Sequence, residues 1–450
     1  MVREAVLHYH SLLTSPEDRL AETRDRLRDG MQALRLDFGG RVLSPYLRPH
    51  FVSFEQWRRV TAVCEGVWEC IRTIGWAAAT DAALVAELGL TEGELKLVAI
   101  DPGFAEISAT SRLDSFLSED SYQFVELNAE CPAGIAYADA VSELYLELPV
   151  MREFAETYEV QPLLSRDKLL DVLLSCYREY AGSPAPQPLI AIVDWNDVPT
   201  QAEFRLFQQH FISQGYEAII ADPRELEFTG GRLRHRGTAI DLVYRRLLTN
   251  EFLEKLDETR ALLDAYEARA VCVVNSFRAK YVHKKMLFGV LTDERYAHYF
   301  SEAQRELIRA HVPWTRAVTE RRTLYSGGNV DLCEFIRRNR DNLVLKPNDE
   351  YGGKGIFIGW ESTEGEWEAA LEVALRGNYL VQERVKTGQE EFPYYDQAGD
   401  IRFIEQLLDL DPLLYFGKVG GAFTRLSSSS LANVTSGAGM TPTFLIGGKR

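Results

Sequence analysis

Apolar residues recur every three or four positions in some stretches of the chain and alternate with polar ones in others. The first pattern places one face of a helix on a core, and the second does the same for a strand. Residues 12–40 and 55–88 carry the helical spacing. From about residue 97 the texture changes. LVAID, AEISATSRLDSFL and YQFVELNAE predict strands, and residues 139–182 return to helix. A proline-rich link, GSPAPQP (182–188), follows. Beyond it LIAIVDW predicts a buried strand, residues 203–214 a helix, and YEAIIAD, RHRGTAIDLVYRR and VCVVNSF further strands. This β-α-β order predicts a small parallel sheet. YVHKKMLFGVLTDE reads as helical. Beyond residue 325, NLVLKP, IFIGW, YLVQERV and IRFIEQLLDL predict strands, with a helix over 363–376.

Length then sets the scale. A chain of 450 residues, 46% apolar, can bury more than one core, so two or three domains are expected. The 50 basic and 67 acidic residues leave a net charge of −17. That balance argues against nucleic acid as the main partner, because phosphate backbones demand basic patches. The six cysteines form no CxxC pair, so neither a zinc site nor a dithiol motif is signalled, and Cys131 is expected to be a buried thiol. The N-terminus lacks an apolar leader-like run, and no stretch approaches the ~20 apolar residues of a membrane helix. A cytoplasmic protein with reduced thiols is expected, with homo-oligomerisation left open.

The chemistry concentrates in SRLDSFLSEDSYQFVELNAECP. A hairpin turning around Asp120 would oppose Asp114 to Glu126 and Arg112 to Asn128, all on one face. Leu113 and Leu127 would share the other face, towards a core. Two directly opposed carboxylates destabilise a sheet unless a cation lies between them. Oxygen-only ligands suit Mg²⁺ or Mn²⁺, so Asp114, Glu126 and Asn128 are the candidate metal ligands. Arg112, one step along the same face, could meet phosphate oxygens. A strand pair with a merely solvated polar face would show the same alternation. A second phosphate signal lies downstream in VLKPNDEYGGKGIFIG. Lys346 ends a strand there, and Gly352, Gly353, Lys354 and Gly355 form a flap whose backbone can approach phosphates. Gln382 and Glu383 follow in the next strand.

These pieces together resemble the ATP-grasp superfamily. Their order, and the phrases Arg112-Leu-Asp114 and Glu126-Leu-Asn128-Ala-Glu-Cys-Pro132, are similar to the circularly permuted group that includes glutathionylspermidine synthase. Glu130, Cys131, Ala133 and Gly134 depart from that group's pattern, which puts glutathione and spermidine in doubt as substrates. VPWTR (312–316) and RLSSSSLANVTSGAGMTP (425–442) extend the likeness. The resemblance implies an α/β (α+β) fold: a permuted ATP-grasp clamp, an inserted small α/β domain and an N-terminal helical segment. The divisions expected are 1–96 (helical), 97–187 (first clamp part, with the metal hairpin), 188–270 (substrate-side α/β) and 271–450 (second clamp part, with flap and hinge).

The resemblance further implies a carboxylate–amine ligase using ATP and Mg²⁺, two ions or Mn²⁺ in their place, through an acyl phosphate. Small-molecule or peptide acids and amines would be its substrates. In that scheme Asp114, Glu126 and Asn128 hold metal, and Arg112 steadies the transferred phosphate. Lys346, Lys354 and the flap glycines bind ATP. Main chain near Gln382 and Glu383 reads adenine, and Arg425 meets a substrate carboxylate. Lys284 would contact ATP, with adjacent Lys285 not separable from it. Asp194, Asp197, Arg245 and Arg246 are further candidates for the substrate pocket. An inactive scaffold on the same fold, or a small-molecule kinase, remains an alternative. Replacing Asp114 or Glu126 by Ala is expected to abolish ATP turnover and leave the fold intact.

Overall fold

The computed structural model describes all residues except 17, 39, 119, 351, 431–437 and 450, so part of the SSSSLANVTSGAGMTP segment lies outside the described residues. Three sheets position the site. In the largest, the strands run in space Gly439–Thr441, Lys418–Ser427, Ile401–Tyr415, Thr110–Leu117 and Tyr122–Asn128, each antiparallel to its neighbour. Gln389–Tyr395 pairs with the first half of Ile401–Tyr415. This sheet joins segments nearly three hundred residues apart.

The hairpin is present, and Ser118 N–H closes it on the Ser121 carbonyl at 2.7 Å. Arg112 faces Asn128, Leu113 faces Leu127, and Asp114 faces Glu126, as the spacing predicts. The route to that register is different, however. Near the turn Leu117 faces Tyr122 and Ser115 faces Phe124, one position away from a hairpin centred on Asp120. An extra residue, Val125, bulges out and restores the pairing beyond it. Leu113 and Leu127 turn their buried side chains towards Trp68 and Ile71 of the Phe54–Ala78 helix, in one apolar cluster. Each such side chain taken fully out of water contributes about 1.5–3 kcal/mol.

A second antiparallel sheet runs Thr315–Ala317, Tyr379–Glu383, Leu343–Pro347, Phe357–Ile358. The third is parallel, in the order Cys272–Val274, Leu242–Arg245, Ile190–Val193, Ala218–Ala221. All four of its strands are legible in the sequence. Its last member lies just past the expected limit at residue 270.

Other expectations fail for local reasons. Residues 12–40 are not one helix. Val2–Thr14 and Arg19–Ala33 are separated at Pro16, which has no N–H to continue a helix. LVAID is not a strand: Glu92–Val98 is helical, started by a capping box between Thr91 and Glu94. Within the stretch read as helix, Tyr158–Pro162 is a strand. It pairs with Thr443–Lys449, which also pairs with His50–Ser53, so only distant partners define it.

Candidate functional site

Lys346 leaves the second sheet pointing at the metal-ligand hairpin. Its ammonium donates to Gln382 Oε1 (2.7 Å) and reaches the carbonyl of the bulged Val125 (3.4 Å). Burial lowers its pKa to about 8, partly offset by Glu126. Between the two sheets lies a cavity of about 1070 Å³, including its open mouth. Asp114, Glu126, Lys285, Lys346 and Asp409 line its charged end. Val344, Ile358, Trp360 and Val385 line the apolar end, where the Arg384 guanidinium lies 4.0 Å over the Trp360 ring. Gly352, Gly353 and the exposed Lys354 border it from the flap. Gly352 and Gly353 have φ of 71° and 78°, a conformation that side chains with a Cβ rarely adopt.

The charged end is a compact array of opposite charges. Arg112 grips Asp114 with two hydrogen bonds, 2.9 and 3.1 Å. Arg425 reaches the same carboxylate at 2.6 Å and contacts Asp409 and Asp411 at 2.5 and 3.1 Å. Asn128 donates its amide to Asp114 at 3.0 Å. Asp409 and Asp411 are the residues that sequence reasoning missed. Both stand on Ile401–Tyr415, two positions apart and hence on one face. The polar alternation in LLDLDPLL was the available signal.

Burial raises the pKa of Asp409 and of Asp411, whereas Arg112 and Arg425 hold Asp114 well below the usual carboxylate range. Asp114, Asp409 and Asp411 offer ligand oxygens within 4.8 Å of one another. Asp409 Oδ1 is buried with no hydrogen-bond partner, and Asp411 Oδ2 has only the ion-pair contacts of Arg425 (3.1 Å) and Arg112 (3.5 Å). The orphaned Asp409 oxygen is an acceptor short of positive charge, and with the neighbouring carboxylate oxygens of Asp114 and Asp411 it makes a donor set that fits a hard divalent cation.

The expected roles shift accordingly. Arg112 and Arg425 are spent on the chain's own carboxylates rather than left open to phosphate or substrate. Lys284 lies outside the cavity, its ammonium fixed between Glu94 (2.8 Å) and Asp349 (2.7 Å), whereas adjacent Lys285 lines it, 3.4 Å from Glu126. The chain kinks between the helices Lys280–His283 and Met286–Thr292, which sends the two lysines apart. The Gln382 side chain holds Lys346 and Thr315, and the Glu383 N–H bonds the Trp314 carbonyl. The cavity therefore meets the chain at Arg384 and Val385 as well. Gly355 does not line it. Glu130 is fully buried against Arg245, Lys280 and Thr249 and faces neither cavity.

A second cavity, about 1350 Å³ including its open mouth, adjoins the first and shares Glu126, Gly352 and Arg425 with it. Arg112, Asn128 and Phe423 line it on one side, and Asp194, Thr200, Arg246 and Glu251 on the other. Of the pocket candidates, Asp194 and Arg246 are there, while Arg245 and Asp197 are not. Cys131 also lines it, half-buried; burial pushes its thiol up to about 12, so it stays protonated at neutral pH. Gly134 lies so close to Phe423 that a Cβ would sit 2.4 Å from the ring.

No family model matches the chain. A protein of Frankia casuarinae provisionally named glutamate–cysteine ligase 2-2 is 24% identical over 342 residues, which cover 71% of this chain and 36% of that protein. The chain thus spans about a third of this relative's length. Among solved structures, a glutathione synthetase-like effector from Globodera pallida in its apo form superposes with a TM-score of 0.61 at 12% identity, covering 97% of this chain and 99% of the other. The chain therefore has a mixed α/β fold of the glutathione synthetase-like kind. Among the described residues no helix is long and apolar enough to cross a membrane.

Proposed function

We propose that the protein is an ATP-dependent carboxylate–amine ligase of the permuted ATP-grasp type, related to glutathionylspermidine synthase-like enzymes. The observation that carries this is the junction of the two cavities at Glu126, Gly352 and Arg425. A lysine- and glycine-lined nucleotide cavity there opens onto a second cavity, lined by both apolar and charged side chains, able to hold organic substrates. The relative's name, glutamate–cysteine ligase, fits the same chemistry.

The first cavity's apolar end around Trp360 and Val385 takes adenine, and Lys285, Lys346, Lys354 and the flap backbone take the phosphates. Asp114 and Asp409, the members of the carboxylate group that line this cavity, with Glu126 and Asn128 beside them, would hold Mg²⁺, which would supply charge neutralisation for the phosphates. A substrate carboxylate oxygen attacks the γ-phosphorus as the bond to ADP breaks. The amine nitrogen then attacks the acyl carbon, the carbon–oxygen bond to phosphate breaks, and the amine loses a proton to solvent. The chain needs no nucleophile of its own; it positions the reactants, excludes water and neutralises charge. Arg112 and Arg425 act by holding the carboxylates in place.

Measuring ADP release from Mg-ATP against arrays of acids and amines tests this. Release that requires one acid and one amine together is expected. Release with a single acceptor would mark a kinase, and failure to bind Mg-ATP in calorimetry would mark a scaffold; either overturns the ligase assignment.

A further inference from the structure

In an open parallel sheet, ligands settle beyond the carboxyl ends of the strands where the order of connection reverses. Here Ile190–Val193 is followed by Ala218–Ala221 on one side, and the chain then returns to lay Leu242–Arg245 on the other. The reversal falls between Ile190–Val193 and Leu242–Arg245. The residues just past their ends are Asp194 and Arg246, and both line the second cavity.

The two do not offer equal charge to a ligand. The two terminal nitrogens of Arg246 are committed to the protein, and its Nε is buried without a hydrogen-bond partner. Those two nitrogens donate to the Pro132 carbonyl (2.8 Å), the Tyr244 hydroxyl (3.0 Å) and Glu203 (3.2 Å), whose own carboxylate also caps the N–H groups of Gly134 and Ala136. Asp194 is only 7% exposed, yet its carboxylate takes a single hydrogen bond, from the Trp195 N–H (2.8 Å) onto Oδ1. Its other oxygen has no hydrogen bond among the described residues. Glu251 lines the same wall and accepts the Trp195 indole N–H at 3.1 Å. Glu203 takes the nearest ion pair of Arg246, at 3.2 Å, and this wall presents the Asp194 carboxylate to the cavity. The junction with the nucleotide cavity, at Glu126, Gly352 and Arg425, is where a carboxylate meets ATP in the proposed reaction.

We infer that Asp194 holds a non-reacting ammonium group of a substrate at the switch point of the parallel sheet. The ligand is a primary or secondary ammonium on a small organic molecule. It enters either as the free amino group of an amino-acid-like carboxylate substrate or as the second amine of a diamine acceptor. This rests on the ligase function proposed above.

Two measurements separate it from that function. Calorimetry without nucleotide compares amino acids with their N-acetyl derivatives, and diamines with monoamines of equal length. Steady-state ADP release then gives KM and kcat for the compounds that bind. The expected result is at least tenfold tighter binding of the free-ammonium member of one series, which also identifies its source. Asp194→Asn, which keeps the Trp195 hydrogen bond, should abolish that preference and raise the KM of that substrate at least tenfold, with KM for ATP unchanged. Glu251→Gln should cause a smaller loss of the same preference and guards against misfolding of the first variant. Equal binding of charged and acetylated or monoamine ligands, or a preference that survives Asp194→Asn and Glu251→Gln, overturns the inference. Preserved ammonium binding with no ADP release under any acid–amine pair would refute the ligase function and leave the subsite standing.

Discussion

Asp114 and Glu126 face each other across one hairpin, yet their substitution should fail in different ways. Asp114 is almost fully buried and takes four hydrogen bonds from three side chains: two from Arg112, one from Arg425 and one from Asn128. Asp114→Asn keeps the volume and removes the charge, leaving two buried guanidiniums with only Asp409 and Asp411 to balance them. Breaking a buried ion pair by removing one partner costs about 3–5 kcal/mol. With a urea m-value of about 3 kcal/mol/M for a chain of this size, the unfolding midpoint should drop by about 1–1.7 M. Glu126 is a quarter exposed, and its closest cation is Lys285 at 3.4 Å. Glu126→Gln should shift stability by less than about 1 kcal/mol. It should lower ATP turnover by about a hundredfold or more, the scale of losing one electrostatic group aimed at developing charge. The assay pairs urea unfolding followed by circular dichroism with ADP release. An unshifted midpoint for Asp114→Asn would refute its role as counter-ion to the arginines. Retained turnover in Glu126→Gln would refute the metal assignment. The fold-neutral loss expected for Asp114→Ala from sequence does not survive the tertiary contacts.

Three further outcomes follow from the same geometry. Lys285→Met should raise KM for ATP about tenfold with little change in stability, whereas Lys284→Met should leave KM for ATP within about twofold and lower unfolding stability by about 3 kcal/mol, because it strips a buried cation from Glu94 and Asp349. Asp194 is held at about 7 by burial, reinforced by Glu251 and Asp222 against the pull of Arg246. A carboxyl pKa raised on folding costs stability progressively as pH rises from the unfolded value, about 4, through the folded one, and the loss is complete above it. Asp194→Asn should therefore stabilise the free protein, the gain growing by about 2–3 kcal/mol between pH 5 and pH 8 in paired urea titrations. A flat difference would show that the carboxylate is not desolvated. Chelation of divalent ions should abolish ADP release, and added Mg²⁺ or Mn²⁺ should restore it; in calorimetry Asp409→Asn should weaken Mg-ATP binding, and unaltered affinity would remove Asp409 from the ligand set.

Much was legible in local pattern. The hairpin faces follow from two-residue periodicity, which forces Arg112, Asp114, Glu126 and Asn128 to one side and Leu113 and Leu127 to the other. The four strands of the parallel sheet announce themselves as short apolar runs because both of their faces are covered. The bulge at Val125 was not legible, since register depends on the partner strand as well as on the turn. Asp409 and Asp411 read as two more surface acids until Ile401–Tyr415 is laid between Lys418–Ser427 and Thr110–Leu117. Lys284 and Lys285 are chemically identical neighbours, and only the kink between two short helices sends one into a buried ion pair and the other into the cavity. Sequence alone determined which polar and charged side chains share a strand face, because residue type and strand period are local. Which charges cancel one another and which remain for a ligand was decided by the tertiary structure, because Coulomb interactions and desolvation depend on distances that no spacing along the chain encodes.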